Sequence, residues 1–167
     1  MKSNMNSGEN ENSFVDSYLL YMLAQASDAL SREFHSQLAD LGVSVPTWRI
    51  LASLYPAKTL NVGGLAQKCM IKQPTLTRQL DRLCAEGLTQ RVHETQDRRG
   101  VLVSLTAEGR QKAKCYVEMA SAHEQHLLSA YTPEEIAQLK SVLHIFLADR
   151  PDQLATTVGT DLEQSDG

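Results

Sequence analysis

The most constraining feature of this sequence is a change of period around Gly87. Before it, Leu76, Leu80 and Leu83 recur at i, i+4 and i+7, the single apolar stripe of an amphipathic helix spanning 73–86. Gly87 is a natural stop for that helix. After it the pattern alternates. Residues 88–94 and 101–105 read as two strands, with Val101, Val103 and Leu105 sharing one face. The segment between them, 95–100, is polar, ends in Gly100 and carries Asp97, Arg98 and Arg99. That is a β-hairpin with a charged tip. A half-apolar helix running into such a hairpin needs other elements to cover its leucines, and the flanking sequence supplies them.

Upstream, Ser44 is placed to cap a short helix with Pro46 in its first turn and Trp48, Leu51 and Leu54 on one face; Pro56 ends it. Asn61 is placed to cap a second short helix carrying Val62, Leu65 and Ala66. Gly63 and Gly64 are poor helix formers there, costing up to about 1 kcal/mol each relative to alanine. Three short helices followed by a hairpin is the order of a winged helix-turn-helix, in which the second helix of the pair enters the DNA major groove. Here that helix is 73–86. Away from its leucine stripe it offers Gln73, Thr75, Thr77, Arg78, Gln79 and Arg82, side chains able to read base edges. Arg82 follows Asp81 and also has a structural reading. Arg91, inside the first strand, either braces the wing or contacts DNA. An arginine on a narrow hairpin tip suits the minor groove, and Asp97 is placed to orient Arg99.

Longer helices flank this lobe. From Phe14, the residues Leu19, Leu23, Ala26, Leu30, Phe34, Leu38 and Leu41 recur every three or four positions, predicting one helix of about seven turns that ends at Gly42. Downstream, Thr106 starts a helix whose stripe (Ala113, Val117, Ala120, Leu127, Ala130) runs to Tyr131. Then Thr132, Pro133 and Glu135 form a capping box before Ile136, Leu139, Leu143 and Phe146. Such long stripes are either internal core or the seam of a dimer, and a helix of that length protruding from a small lobe favours the seam. The expected divisions are an arm at 1–13, a dimerisation helix at 14–44, a DNA-binding lobe at 45–106, dimerisation helices at 107–148 and an acidic tail at 149–167.

Charge is distributed to match. The chain totals −4, but residues 1–16 carry one base against three acids and residues 149–167 one base against five. The remaining 17–148 is therefore net basic, by about two charges. No segment has the length and hydropathy to span a bilayer, and the polar N-terminus lacks the pattern of a secretory signal. The expected compartment is the cytoplasm, which also suits three cysteines, Cys69, Cys84 and Cys115, with no C-x-x-C pair. No nucleophile-elbow, zinc-protease, phosphate-loop or dinucleotide motif is present, so the expectation is a non-enzyme with no cofactor and no metal site.

The ordered pieces Leu65-Ala66, the run 73–83 (Gln-Pro-Thr-Leu-Thr-Arg-Gln-Leu-Asp-Arg-Leu), Glu86-Gly87-Leu88, Arg91, Asp97-Arg98-Arg99 and the run 103–109 (Val-Ser-Leu-Thr-Ala-Glu-Gly) resemble the MarR/SlyA family of bacterial transcriptional regulators. Gly63 and Gly64 depart from that pattern. The resemblance implies a mainly α fold with a small β-hairpin wing, and a homodimer built on the N-terminal and two C-terminal helices. It implies that Pro74, Thr75 and Arg78 sit at major-groove positions on a pseudo-palindromic operator, with Arg99 in the minor groove beside its partner Asp97. It also implies a regulator, expected to be a repressor, released from double-stranded DNA by a small, often anionic aromatic effector. Tyr18, Tyr21, His35, Trp48 and Arg49 are the candidate effector residues. The alternatives are a cysteine-based redox sensor of the same fold, although no cysteine precedes Cys69, and a protein-binding adaptor that has lost DNA.

Overall fold

The computed structural model describes residues 14–93 and 101–148. The arm at 1–13, the hairpin tip with Asp97, Arg98 and Arg99, and the acidic tail at 149–167 lie outside the described residues. Helix α1 (Phe14–Ser17) is one turn and α2 (Leu19–Asp40) is long. The lobe follows as α3 (Val45–Leu54), β1 (Leu60–Asn61), α4 (Val62–Cys69), α5 (Gln73–Ala85), β2 (Thr89–His93) and β3 (Val101–Leu105). Helices α6 (Ala107–Leu128) and α7 (Pro133–Ala148) complete the chain.

Local chemistry sets most boundaries. Ser44 Oγ accepts the Thr47 N–H at 3.3 Å, Asn61 Oδ1 that of Gly64 at 2.7 Å, and Thr106 Oγ1 that of Gly109 at 3.0 Å. Each satisfies a donor that the first helical turn leaves unpaired. Gly42 and Gly87 adopt φ of +70° and +71°. There the Val43 and Leu88 N–H groups reach back to the Leu38 and Leu83 carbonyls at 2.9 Å, closing both helix ends with the left-handed residue such a stop requires. The capping box of α7 is complete: Thr132 N–H donates to Glu135 Oε2 at 2.9 Å and Glu135 N–H to Thr132 Oγ1 at 3.3 Å. Those bonds hold the Glu135 carboxyl below its ordinary range.

The core lies within the lobe. Ile50, Leu51 and Leu54 of α3, Leu65 and Cys69 of α4, and Leu76, Leu80 and Leu83 of α5 meet Val103 and Leu105 of β3 and Ala113 of α6. Burying a side chain of this size contributes roughly 1.5–3 kcal/mol, so the predicted stripe on α5 is what holds that helix in place. Gly109 lets α6 start directly against the wing: a Cβ there would lie 1.8 Å from the Leu88 carbonyl oxygen.

Four expectations are corrected. The first helix is not continuous, because Tyr18 is extended (ψ 113°) and separates α1 from α2. The helix begun at Thr106 ends at Leu128 rather than Tyr131; Ser129 Oγ turns back on the His126 carbonyl at 2.7 Å. The wing is three-stranded, since β1 pairs antiparallel with β3 (Leu60 with Val103, Asn61 with Leu102) in the order β1-β3-β2. Val101 does not share the burial of Val103 and Leu105.

The stripes outside the lobe stay largely uncovered. On α2 only Phe34 and Leu38 are buried. Helix α7 buries no residue, and Leu139, Ile145 and Phe146 are each about half exposed. Its link to α6 is an ion pair, Lys140 to Glu124 at 2.9 Å. Among the described residues, no helix is long and apolar enough to cross a membrane.

Candidate nucleic-acid interface

Helix α5 is separated from α4 by a three-residue turn, residues 70–72, in which Met70 takes the left-handed conformation (φ 54°). Half-buried Ile71 packs against the lobe core there. The turn delivers α5 with its first residues outward. Gln73, Pro74, Thr75, Thr77 and Arg78 are all exposed. The first turn contains no acidic residue, so its partial positive charge is uncompensated within the helix. Thr77 Oγ1 donates to the Gln73 carbonyl at 3.0 Å, leaving its lone pairs and methyl for a ligand. Four of these are polar and, with Pro74, form one exposed cluster at the N-terminal end of a helix whose opposite face is core.

Two predicted readers are not in that cluster. Gln79 is half-buried, and its Oε1 is enclosed without a hydrogen-bond partner among the described residues. It stands three residues after Leu76 and four before Leu83, within the buried stripe rather than opposite it. Arg82 lies nine residues beyond Gln73, about 13 Å down the axis. Its Nε–H donates to Glu86 at 2.7 Å, and its side chain lines a cleft with Lys112 and Tyr116 of α6.

Arg91 has the bracing role. Its guanidinium pairs with Asp81, joining β2 to α5 and neutralising an acid on the helix that carries the polar cluster. Sequence reading left this partner unnamed, although the two opposite charges were visible ten residues apart.

The effector candidates do not gather in one protomer. Trp48 meets Phe34 edge-on with centroids 5.1 Å apart, and the His123 ring centroid lies 5.7 Å from that of Phe34. His35 borders the same cluster. Tyr18 and Tyr21 are 17 and 14 residues before His35 on the chain, about 25 and 21 Å along α2. Both are exposed. Arg49 is half-buried and donates to the Cys69 carbonyl at 3.4 Å. Sequence reading missed Phe34 as the hub and His123 as its neighbour. The His123 side chain is only 10% exposed, and its Nε2 lacks a hydrogen-bond partner among the described residues. Among those residues no group of three or more His, Cys, Asp or Glu is placed to hold a metal ion.

The cysteines are dispersed. Cys69 is buried beside Ser53, and burial pushes its thiol up from the ordinary 9.0. Cys84 is half-buried, 3.3 Å from Thr89 Oγ1, and Cys115 is exposed on α6.

Comparison with known proteins agrees with this geometry. The MarR family pattern matches residues 43–101, the lobe just described. The multiple antibiotic resistance protein MarR of Salmonella typhimurium is 30% identical over 126 residues, 75% of this chain and 85% of that protein. An organic hydroperoxide resistance transcriptional regulator of Bacillus subtilis is 28% identical over 133 residues, 80% of this chain and 89% of that protein. The crystal structure of a MarR family transcriptional regulator from Silicibacter pomeroyi superposes with a TM-score of 0.74 at 38% identity, covering 82% of this chain and 98% of that one. NadR in complex with 4-hydroxyphenylacetate superposes with a TM-score of 0.72 at 27% identity, covering 87% of this chain and 97% of that one. With the helix-turn-helix, the wing and the flanking long helices all in matching order, the chain belongs to the MarR family of winged-helix transcriptional regulators.

Proposed function

We propose that this regulator is a cytoplasmic homodimeric repressor that reads a pseudo-palindromic operator. Its reading residues are Gln73, Pro74, Thr75, Thr77 and Arg78, with Arg99 of the wing tip, oriented by Asp97, in the flanking minor groove. The observation that carries the reading is the exposed polar cluster at the start of α5, an end free of acidic residues on a helix clamped by its leucines. Arg78 is suited to guanine, Gln73 to adenine and the threonine methyls to thymine. A protein-binding adaptor that had lost DNA would be expected to lack the basic residues on α5 and at the wing tip, and this chain keeps Arg78, Arg98 and Arg99.

The dimer reading rests on the exposed apolar residues of α1, α2 and α7. Phe14, Leu19, Leu30, Leu139, Ile145 and Phe146 leave a surface that water penalises and a second copy would cover. Residues 14–44 and 107–148 then serve as the dimer arms and 45–106 as the lobe. In a two-fold dimer the paired α5 helices sit about one DNA turn apart, roughly 34–36 Å.

The effector reading centres on Phe34 and Trp48, with His35 and His123 beside Phe34; Arg49 follows Trp48 on α3 but its side chain is turned to the Cys69 carbonyl. An aromatic acid would stack there and offer its carboxylate to a cation. It releases DNA only to the extent that it prefers the DNA-incompetent state. The relative NadR was crystallised with such an acid, 4-hydroxyphenylacetate. The test is fluorescence anisotropy on the DNA upstream of the gene, with 4-hydroxyphenylacetate and hydrogen peroxide added separately. Release by the acid supports the reading. Release by peroxide alone moves the trigger to the cysteines. Absence of any salt-sensitive, sequence-dependent binding rejects the DNA assignment.

A further inference from the structure

Between Asp40 and Asp81 the sequence carries no Asp or Glu, but it carries five bases, Arg49, Lys58, Lys68, Lys72 and Arg78. In a chain that totals −4, this run of 40 residues holds +5. Arg78 belongs to the exposed cluster on α5, Arg49 is turned to the Cys69 carbonyl, and Lys58 lies in the loop before β1. Lys68 and Lys72 remain, both exposed, on either side of Met70 where α4 turns into α5. Neither lysine joins any ion pair among the described residues. Four residues of chain keep their Cα atoms within about 14 Å of each other.

Met70 is a conformational outlier. The stops of α2, α4 and α5 each use a left-handed residue, namely Gly42, Met70 and Gly87. Glycine takes that conformation without a Cβ penalty, and a methionine does not. The Met70 side chain is 74% exposed, so packing within the chain does little to offset the strain. A large apolar side chain held in a strained turn and presented to water points to a contact outside the chain. The turn leads directly into Gln73, the first residue of the exposed cluster. A DNA strand offers a matching sequence of groups: a phosphate, the apolar face of a sugar, and the next phosphate.

We propose that Lys68, Met70 and Lys72 form a second DNA-contact surface, which grips the sugar–phosphate strand bordering the groove and reads no bases. The two ammonium groups meet phosphates, and the Met70 thioether lies on the deoxyribose between them. This inference rests on the DNA-binding reading and adds to it a component that is independent of sequence.

The test is an anisotropy titration of the full-length protein on two short duplexes, alternating A·T and alternating G·C, over a range of sodium chloride. Lys68→Ala and Lys72→Ala should each reduce the slope of log affinity against log salt by about 0.9 per bound protomer, equally on both duplexes. Lys140→Ala, which removes the same charge from α7, should leave the slope unchanged. Met70→Gly should weaken binding severalfold on both duplexes at an unchanged slope, while its urea midpoint does not fall, because glycine relieves the left-handed strain. Lys72 makes no side-chain capping bond and all three side chains of the turn are exposed, and urea midpoints verify that the variants fold. Wild-type slopes in both lysine variants, or wild-type affinity in Met70→Gly, overturn the proposal and leave base reading by α5 standing. Absence of salt-dependent binding of the wild type to either duplex overturns both.

Discussion

Replacing Gly109 with alanine tests the packing that joins the lobe to α6. Gly109 is the third residue of α6, where helix propensity alone predicts that alanine stabilises by up to about 1 kcal/mol. The structure predicts the opposite sign. The added Cβ would sit 1.8 Å from the Leu88 carbonyl oxygen and 2.7 Å from its carbon, so something must move by more than an ångström. The carbonyl is not free to do so, because it accepts the Thr106 N–H at 3.1 Å, while Thr106 Oγ1 donates to the adjacent Gly87 carbonyl at 2.6 Å. Overpacking of this kind costs about 1–3 kcal/mol, and losing one of these hydrogen bonds adds about 0.5–1.5 kcal/mol. After the propensity gain is subtracted, the net is destabilisation of about 2 kcal/mol. With a urea m-value of about 2 kcal/mol/M, the midpoint should fall by about 1 M. The assay is urea unfolding by circular dichroism at one fixed protein concentration, because the midpoint of any self-associating chain depends on concentration. An unchanged or higher midpoint would refute the steric argument.

Further outcomes follow from other residues. Arg78→Ala should weaken operator binding by about 1–3 kcal/mol and relax preference at one base position per half-site, read by competition anisotropy with base-substituted duplexes. Arg99→Ala should cost most on operators with A·T-rich flanks; equal losses on G·C flanks would exclude minor-groove insertion. The raised thiol of Cys69 means that the folded state holds its proton while an unfolded chain releases it above pH 9.0, so stability should decline as pH rises through that region. Cys69→Ala should remove that component, measured as the difference between the two pH profiles of urea midpoint. Glu135 has the opposite sign: its bonds to Thr132 stabilise above the ordinary 4.5 and are lost as pH falls through its lowered value. Amide protection in the first turn of α7 should drop in acid for the wild type, while Glu135→Gln should show no such pH dependence.

The features legible in the sequence were those written locally. Ser44, Asn61, Thr106 and Thr132 each announce a helix start through a side chain that accepts from the backbone N–H three residues ahead. Gly42 and Gly87 mark stops because the backbone there turns left-handed. Leu76, Leu80 and Leu83 declare the buried face of α5 by spacing alone. What the sequence hid depends on partners distant in the chain. Strand β1 is two residues long and exists only through pairing with β3. Gln79 looked like a reader because its type is polar, but its angular position belongs to the leucine face. Arg82 and Trp48 were grouped with other residues by chemistry, which carries no information about distance. The Gly63-Gly64 pair is explained in part. A Cβ at Gly64 would come within 3.2 Å of Asn61 Oδ1, which caps the helix through the Gly64 N–H, whereas one at Gly63 would make ordinary contact at 3.6 Å. Nothing in the structure explains Gly63.

In the function proposed above, two copies of this chain read DNA together through α5. Site selection from random duplexes, followed by sedimentation of the protein with the enriched sequence, tests it most directly. Two inverted half-sites centred about 10–10.5 base pairs apart are expected, bound by two protomers, with enrichment abolished by Arg78→Ala. Failure to enrich any sequence, or a single half-site bound by one protomer, would contradict it.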